Sequence, residues 1–154
     1  MEYQIAKWLH IVSSTLLFGT GIGSAYYMLL ASWRGEPKAV AFVVRYVVLA
    51  DWLFTATTVV IQPLTGFWLM HLAGYPLSST WISVSLMLYA LAVACWLPVV
   101  WMQMRMRDLA QDAVDRDRPL SGPYWRYLKF WILLGTLAFF AFLAIFWLMV
   151  AKPA

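Results

Sequence analysis

Apolar residues run through this chain in long unbroken blocks, and the polar residues are confined to short segments between them. Four apolar runs stand out, at about 3–31, 47–72, 81–102 and 127–150. A helix crosses the hydrocarbon core of a bilayer in about 20 residues, so each run is long enough to span. The pattern predicts an all-α protein, a four-transmembrane-helix bundle forming one integral membrane domain over 1–154. Its helices are expected at about 3–31, 47–72, 81–116 and 124–150. The third would continue out of the bilayer through "RMRDLAQDAVDRDR", whose mixed charges, with Asp108, Asp112 and Asp115 at helical spacing, suit a solvated, salt-bridged stretch. Gly35 and Pro37 are expected to stop the first helix, and Pro123 to start the fourth. The first run is too long for the apolar region of a signal peptide, about 7–15 residues, and is expected to be a retained helix.

Composition agrees with the pattern. The chain is 64% apolar and 12% charged, against roughly 45–50% and about 25% in soluble domains. The ten tryptophans suit helices anchored at membrane interfaces. Cys95 is the single cysteine, so no intramolecular disulfide can form.

Charge sets the expected orientation. Nine of the eleven Lys and Arg lie in the first and third connections, at Arg34, Lys38, Arg45, Arg105, Arg107, Arg116, Arg118, Arg126 and Lys129. The other side holds Lys7 and Lys152. Basic loops stay in the cytoplasm, so both termini and the 73–80 loop are expected to face outward, into the periplasm. The net charge of +4 reads as this orientation signal and not as nucleic-acid binding.

Polar side chains inside the spans are the candidate chemistry, because they are costly there. His10 shares a helix face with Ser14, Leu17, Gly21 and Ser24. Small residues on that face admit a second helix or a flat ligand such as a porphyrin. Gly19 and Gly23 form a GxxxG nearly opposite, which suits helix packing. In the second run Asp51, Thr55, Thr58, Gln62 and Thr65 recur at steps of four and three, making one stripe. The stripe suits a proton path, a polar ligand site or interhelical hydrogen bonds, with Asp51 expected to pair with Arg45 or Arg105. Pro63 is expected to kink this helix. His71 closes the second run on the side where His10 begins the first. Two imidazoles at comparable depth could supply both axial bonds of a haem iron, although His71 points some 120° from the stripe on an ideal helix. Met102, Met104 and Met106 alternate with other residues, and on a helix they fan apart instead of converging on copper.

Several longer phrases carry a family resemblance: "LHIVSSTLLFGTGIGSA", "LADWLFTATTVVIQPLTG", "ACWLPVVWMQMRMRDLA" and "IFWLMVAKP". The chain resembles, nearly end to end, a bacterial family of predicted integral membrane proteins of unknown function, DUF2269-like. More distantly, "WLHIV…FG", "PLTGFWLM" and "STWISVSLML" are similar to HemJ-type protoporphyrinogen oxidases and CopD-like membrane proteins. The HemJ likeness implies haem b on His10. Where that family has a lysine, this chain has Ser85, and a later histidine is missing near Trp96. The resemblance therefore carries a haem site and not the oxidase chemistry.

The expectation is a b-type haem protein of the bacterial inner membrane with a redox or electron-transfer role near the periplasmic face. Its cofactor residues are His10, His71, Ser14, Gly21 and Ser24, with His10 and His71 on the metal. Quinone or a redox protein would be its partner, within a homo- or hetero-oligomer. Two other functions fit the same residues: a non-catalytic assembly or accessory subunit of a larger complex, and a small copper or proton carrier using His10, His71, Met70 and the Asp51 stripe.

Overall fold

In the computed structural model, which describes residues 1–153, every element is helical. Helix α1 spans Glu2–Arg34. Helix α2 spans Pro37–Ala50 and runs without a break, through a π turn at Asp51–Thr55, into α3 at Ala56–Ala73. Helix α4 spans Thr80–Asp115 and α5 spans Gly122–Ala151. With α2, the π turn and α3 counted as one rod, four helices are long and apolar enough to cross a membrane. Their outer surface carries bulky apolar residues such as Trp33, Phe42, Leu64, Leu133 and Trp147. A bilayer can cover that belt and water cannot.

The first connection is shorter than expected. Gly35 takes a left-handed φ of 70° and its N–H caps the carbonyls of Ala31 and Ser32, a conformation that glycine adopts without Cβ strain. After Glu36, Pro37 opens α2 in the first helical turn, where its missing N–H costs nothing. Pro37 therefore starts a helix instead of ending one, and the second spanning rod begins there and not at Val47. Lys38 and Arg45 accordingly sit on a helix, not in a loop.

Two packing arrangements share this one rod. Its first half, α2, packs on α4 and α1, whereas its second half, α3, packs on α1. Helices α4 and α5 form the tightest pair. All four rods close together at the end bearing the two basic connections, where Met28, Val44, Met106, Tyr124 and Trp131 are buried in one cluster. The fully buried hydroxyls of Ser32 and Tyr124 share a 2.6 Å hydrogen bond there. Towards the termini the α1/α3 and α4/α5 pairs separate, and two cavities lie between them. Phe18 of α1 spans the gap to α5, its ring centroid 5.0 Å from that of Phe146 and 5.6 Å from that of Phe139.

The extension of α4 is salt-bridged as its charges imply. Arg107 pairs with Asp108, and Arg116 and Arg118 both reach Asp112. Such exposed pairs contribute little, about 0–1 kcal/mol each. Met102 and Met106 are buried in the core at the root of this extension.

Pro63 has no N–H to give to the carbonyl four residues earlier, that of Val59. The Tyr89 hydroxyl of α4 donates to this carbonyl at 2.6 Å. One residue thus repairs the helix and ties α3 to α4 where the pairs part. Tyr89→Phe should lower stability by about 1 kcal/mol, the usual cost of orphaning a buried acceptor. In a Pro63→Ala background the restored N–H should recover most of that loss. Thermal unfolding of the four variants in one detergent measures the coupling, and equal losses in both backgrounds would refute it.

Candidate functional site

The larger cavity opens at the end of the bundle that carries both termini. It has a volume of about 550 Å³, within the range of about 300–1,000 Å³ of small-molecule sites. His10 and Ser14 of α1, Gln62 and Gly66 of α3, Ser85 and Tyr89 of α4 contribute to its wall. Most of the remaining wall is aromatic or aliphatic.

His10 is held on both ring nitrogens. Nδ1 lies 2.9 Å from the Thr65 hydroxyl, and Nε2 lies 3.2 Å from the Gln62 carboxamide nitrogen. The Thr65 hydroxyl already donates to the carbonyls of Ile61 and Gln62. It can therefore only accept from His10, so Nδ1 carries the proton. Nε2 then holds the lone pair, and the Gln62 amide donates to it. Ser13 donates to Gln62 Oε1, which fixes the orientation of the carboxamide. Gly66 makes room for the ring: a Cβ at that position would lie 3.3 Å from His10 Cε1. A histidine whose Nδ1–H is anchored by a hydroxyl shares that feature with metal-ligating imidazoles, while its Nε2 lone pair is taken up by the Gln62 amide. Ligation by Nε2 requires the Gln62 amide to turn aside.

The partner of His10 is thus the polar stripe and not His71. His71 is exposed near the end of α3 and is not part of the cavity wall. It lies six residues beyond Thr65, about 240° further round an ideal helix. No break undoes that rotation, because α3 is continuous from Thr65 to His71. The expected pairing of two imidazoles on one ligand is therefore corrected: similar depth does not bring side chains to the same side.

Two ammonium groups stand at the cavity mouth. Lys7 and Lys152 line it, and neither is ion-paired with a carboxylate among the described residues. Lys152 Nζ sits over the rings of Tyr75 and Trp81, 5.2 and 5.7 Å from their centroids, as cations do on aromatic faces.

The remaining stripe residues belong deeper in the bundle. Asp51 and Thr55 line a second cavity of about 440 Å³ in the half nearer the basic connections, together with Gly21 and Ser24. Thr58 is buried, lines neither cavity and donates to the carbonyl of Phe54. The α1 face predicted around His10 is real but crosses both spaces. His10 and Ser14 serve the outer cavity, Gly21 and Ser24 the inner, and Leu17 lines both. Ser14 and Ser24 spend their hydroxyl protons on the carbonyls of Ile11 and Gly21.

Asp51 has no arginine partner. It is 4% exposed and accepts a hydrogen bond of 2.9 Å from Thr55. Arg105 lies instead over the ring of Trp101, 5.6 Å from its centroid. The reason is geometric: Asp51 faces into the bundle, whereas Arg45 and Arg105 are exposed. Sequence reasoning missed Gly66, Lys7, Lys152, Trp96, Gln103 and Trp131. A glycine beside Thr65 and a glutamine within an apolar helix were available signals. Two tryptophans among ten were not.

The model of the family described as "Predicted integral membrane protein (DUF2269)" matches residues 4–153. No curated protein and no solved structure matches the chain, so the more distant resemblance to HemJ-type and CopD-like proteins gains no support from these comparisons.

The two histidines should differ in reactivity towards diethylpyrocarbonate. His71 should be modified quickly and His10 slowly, because both His10 nitrogens are bonded. Gln62→Ala should speed modification of His10 alone. Mass spectrometry of the labelled peptides gives both rates, and equal rates in the unaltered protein would contradict the geometry.

Proposed function

The chain belongs to the DUF2269 family of predicted integral membrane proteins, and on that premise we propose that it is a b-type haem-binding protein with a one-electron redox role. Haem would occupy the larger cavity, and His10 would hold it through Nε2. We assign that end of the bundle to the periplasmic side of a bacterial inner membrane, on the distribution of Lys and Arg along the sequence. The observation that carries the reading is the combination within one cavity of an oriented imidazole, apolar walls and two ammonium groups at the mouth that have no carboxylate partner among the described residues.

Each part of the site matches a part of the ligand. The aromatic and aliphatic wall suits a porphyrin face and keeps water from it. Lys7 and Lys152 suit its two carboxylates, which remain at the water boundary. Thr65 holds the imidazole by Nδ1, which fixes the ring plane and strengthens Nε2 as a donor. When bound, haem supplies a reversible one-electron couple that the side chains of this chain lack. His10 is the imidazole available to it, because His71 lies outside the cavity.

Purified protein reconstituted with haem should show a Soret band that His10→Ala abolishes and His71→Ala leaves in place. Lys7→Gln with Lys152→Gln should weaken haem affinity by roughly threefold to tenfold, as expected for two partly exposed ion pairs. Protein that stays colourless in the presence of excess haem, yet co-purifies with a stoichiometric partner, would favour the accessory-subunit reading instead.

A further inference from the structure

The inner cavity has a feature that the haem reading does not use. Three of its lining residues bury polar atoms that have no hydrogen-bond partner among the described residues: the indole Nε1 of Trp96, that of Trp131 and Gln103 Oε1. Gln103 is 2% exposed and Trp131 is 5% exposed. Gln103 approaches the Asp51 carboxyl from α4, which leaves its own carbonyl oxygen without a donor. Buried polar atoms are nearly always paired, so two spare donors and one spare acceptor beside a buried carboxyl call for a ligand. The π turn at Asp51–Thr55 adjoins the same place, and such turns are frequent at functional sites.

The shape of the cavity limits what that ligand is. Its wall is shared by α1 and α5, which meet along it through the Phe18–Phe139 stack and beyond it through the Phe18–Phe146 contact and the Ser32–Tyr124 bond. Lining residues on both helices, Ile22 and Tyr26 on one and Ile132 on the other, are exposed on the lipid-facing surface. Gly21 and Gly135 also line it, and a Cβ at either would meet nothing within 4 Å. The space is therefore reached sideways, from the bilayer. Its polar groups are gathered around Asp51 and Gln103, and aromatic residues such as Phe139 and Phe142 extend it towards the middle of the bundle. The occupant must dissolve in lipid, carry an apolar tail and present hydrogen-bond acceptors at its head, with a hydroxyl donor for Gln103 in its reduced form.

We propose that the inner cavity binds a quinone or quinol, with head-group oxygens on the indole N–H groups of Trp96 and Trp131 and a quinol hydroxyl donated to Asp51 or Gln103. The apolar tail leaves between α1 and α5. This deepens the redox reading by naming its lipid-soluble partner. The site itself is separate from the His10 cavity, so each can fail without the other.

The test measures binding and needs no electron transfer. Full-length protein in phosphatidylcholine nanodiscs is photolabelled with an azido derivative of a short-chain ubiquinone, with and without excess unlabelled ubiquinone. Competed label should map to peptides around Trp96–Gln103 and Trp131–Gly135. Trp96→Phe and Trp131→Phe should each weaken competition by roughly tenfold, the effect of losing one buried hydrogen bond. Gly135→Leu, whose Cβ meets no neighbour within 4 Å, should block labelling while the protein stays monodisperse and keeps any Soret band. His10→Ala should leave labelling unchanged. Label confined to the outer cavity or spread over lipid-facing residues would overturn the proposal. So would labelling indifferent to Gly135→Leu, or native mass spectrometry that finds only phospholipid retained.

Discussion

One helix cannot lie flat against two diverging neighbours along its whole length. The second spanning rod resolves this by changing partner midway: α2 packs on α4 and α1, and α3 on α1. The change coincides with the π turn at Asp51–Thr55, and Pro63 follows within two to three turns. Both features loosen the regular hydrogen-bond ladder. Inside hydrocarbon no water can repair such a break, so protein groups must do so. Tyr89 caps the carbonyl that Pro63 leaves free, and the Thr55 hydroxyl satisfies Asp51. The two cavities exist because the helix pairs part where the rod turns from one neighbour to the other.

This arrangement explains why the polar groups gather where they do. Along α3 the stripe faces α1, and its lower members find partners there: Gln62 with Ser13 and His10, Thr65 with His10. Each such bond is worth modestly more than nothing in a membrane, about 0.6 kcal/mol on average. Their effect is geometric more than energetic, since together they fix one imidazole in one tautomer and one orientation. Nearer the basic end the stripe faces a space instead of a helix. There Asp51 has Thr55 beside it and Gln103 approaching from α4, and Gln103 Oε1 and the two indole N–H groups are left unpaired among the described residues.

The four spans were legible in the sequence because a bilayer demands long apolar runs, and that demand overrides finer periodicities. The start of the second rod was not legible. Pro37 ends one helix or begins another according to the turn before it, and only the left-handed Gly35 settles which. The stripe was legible because steps of four and three keep residues on one face. Its partner was not, because depth along the membrane normal was easier to read than direction around the helix. Depth matched His10 with His71; rotation matches it with Gln62 and Thr65. The link between Asp51 and an arginine failed for a related reason, since opposite charges near in sequence register can still face opposite sides of a helix. Trp96, Gln103 and Trp131 were hidden because their significance lies in having no partner, which a sequence does not express.

The α1 face that begins at His10 connects these observations. Small residues along it were expected to admit one flat ligand. In the structure the face is divided by Leu17, which is 5% exposed and lines both cavities, as does Phe142 of α5. A single continuous groove would have let a lipid-soluble molecule slide from one polar region to the other. Two apolar side chains stand between two sets of polar groups: an imidazole and two ammonium groups on one side, a carboxyl and two indole N–H groups on the other. The same small residues that make the face permissive therefore serve two spaces, and the bulky residues between them keep those spaces distinct.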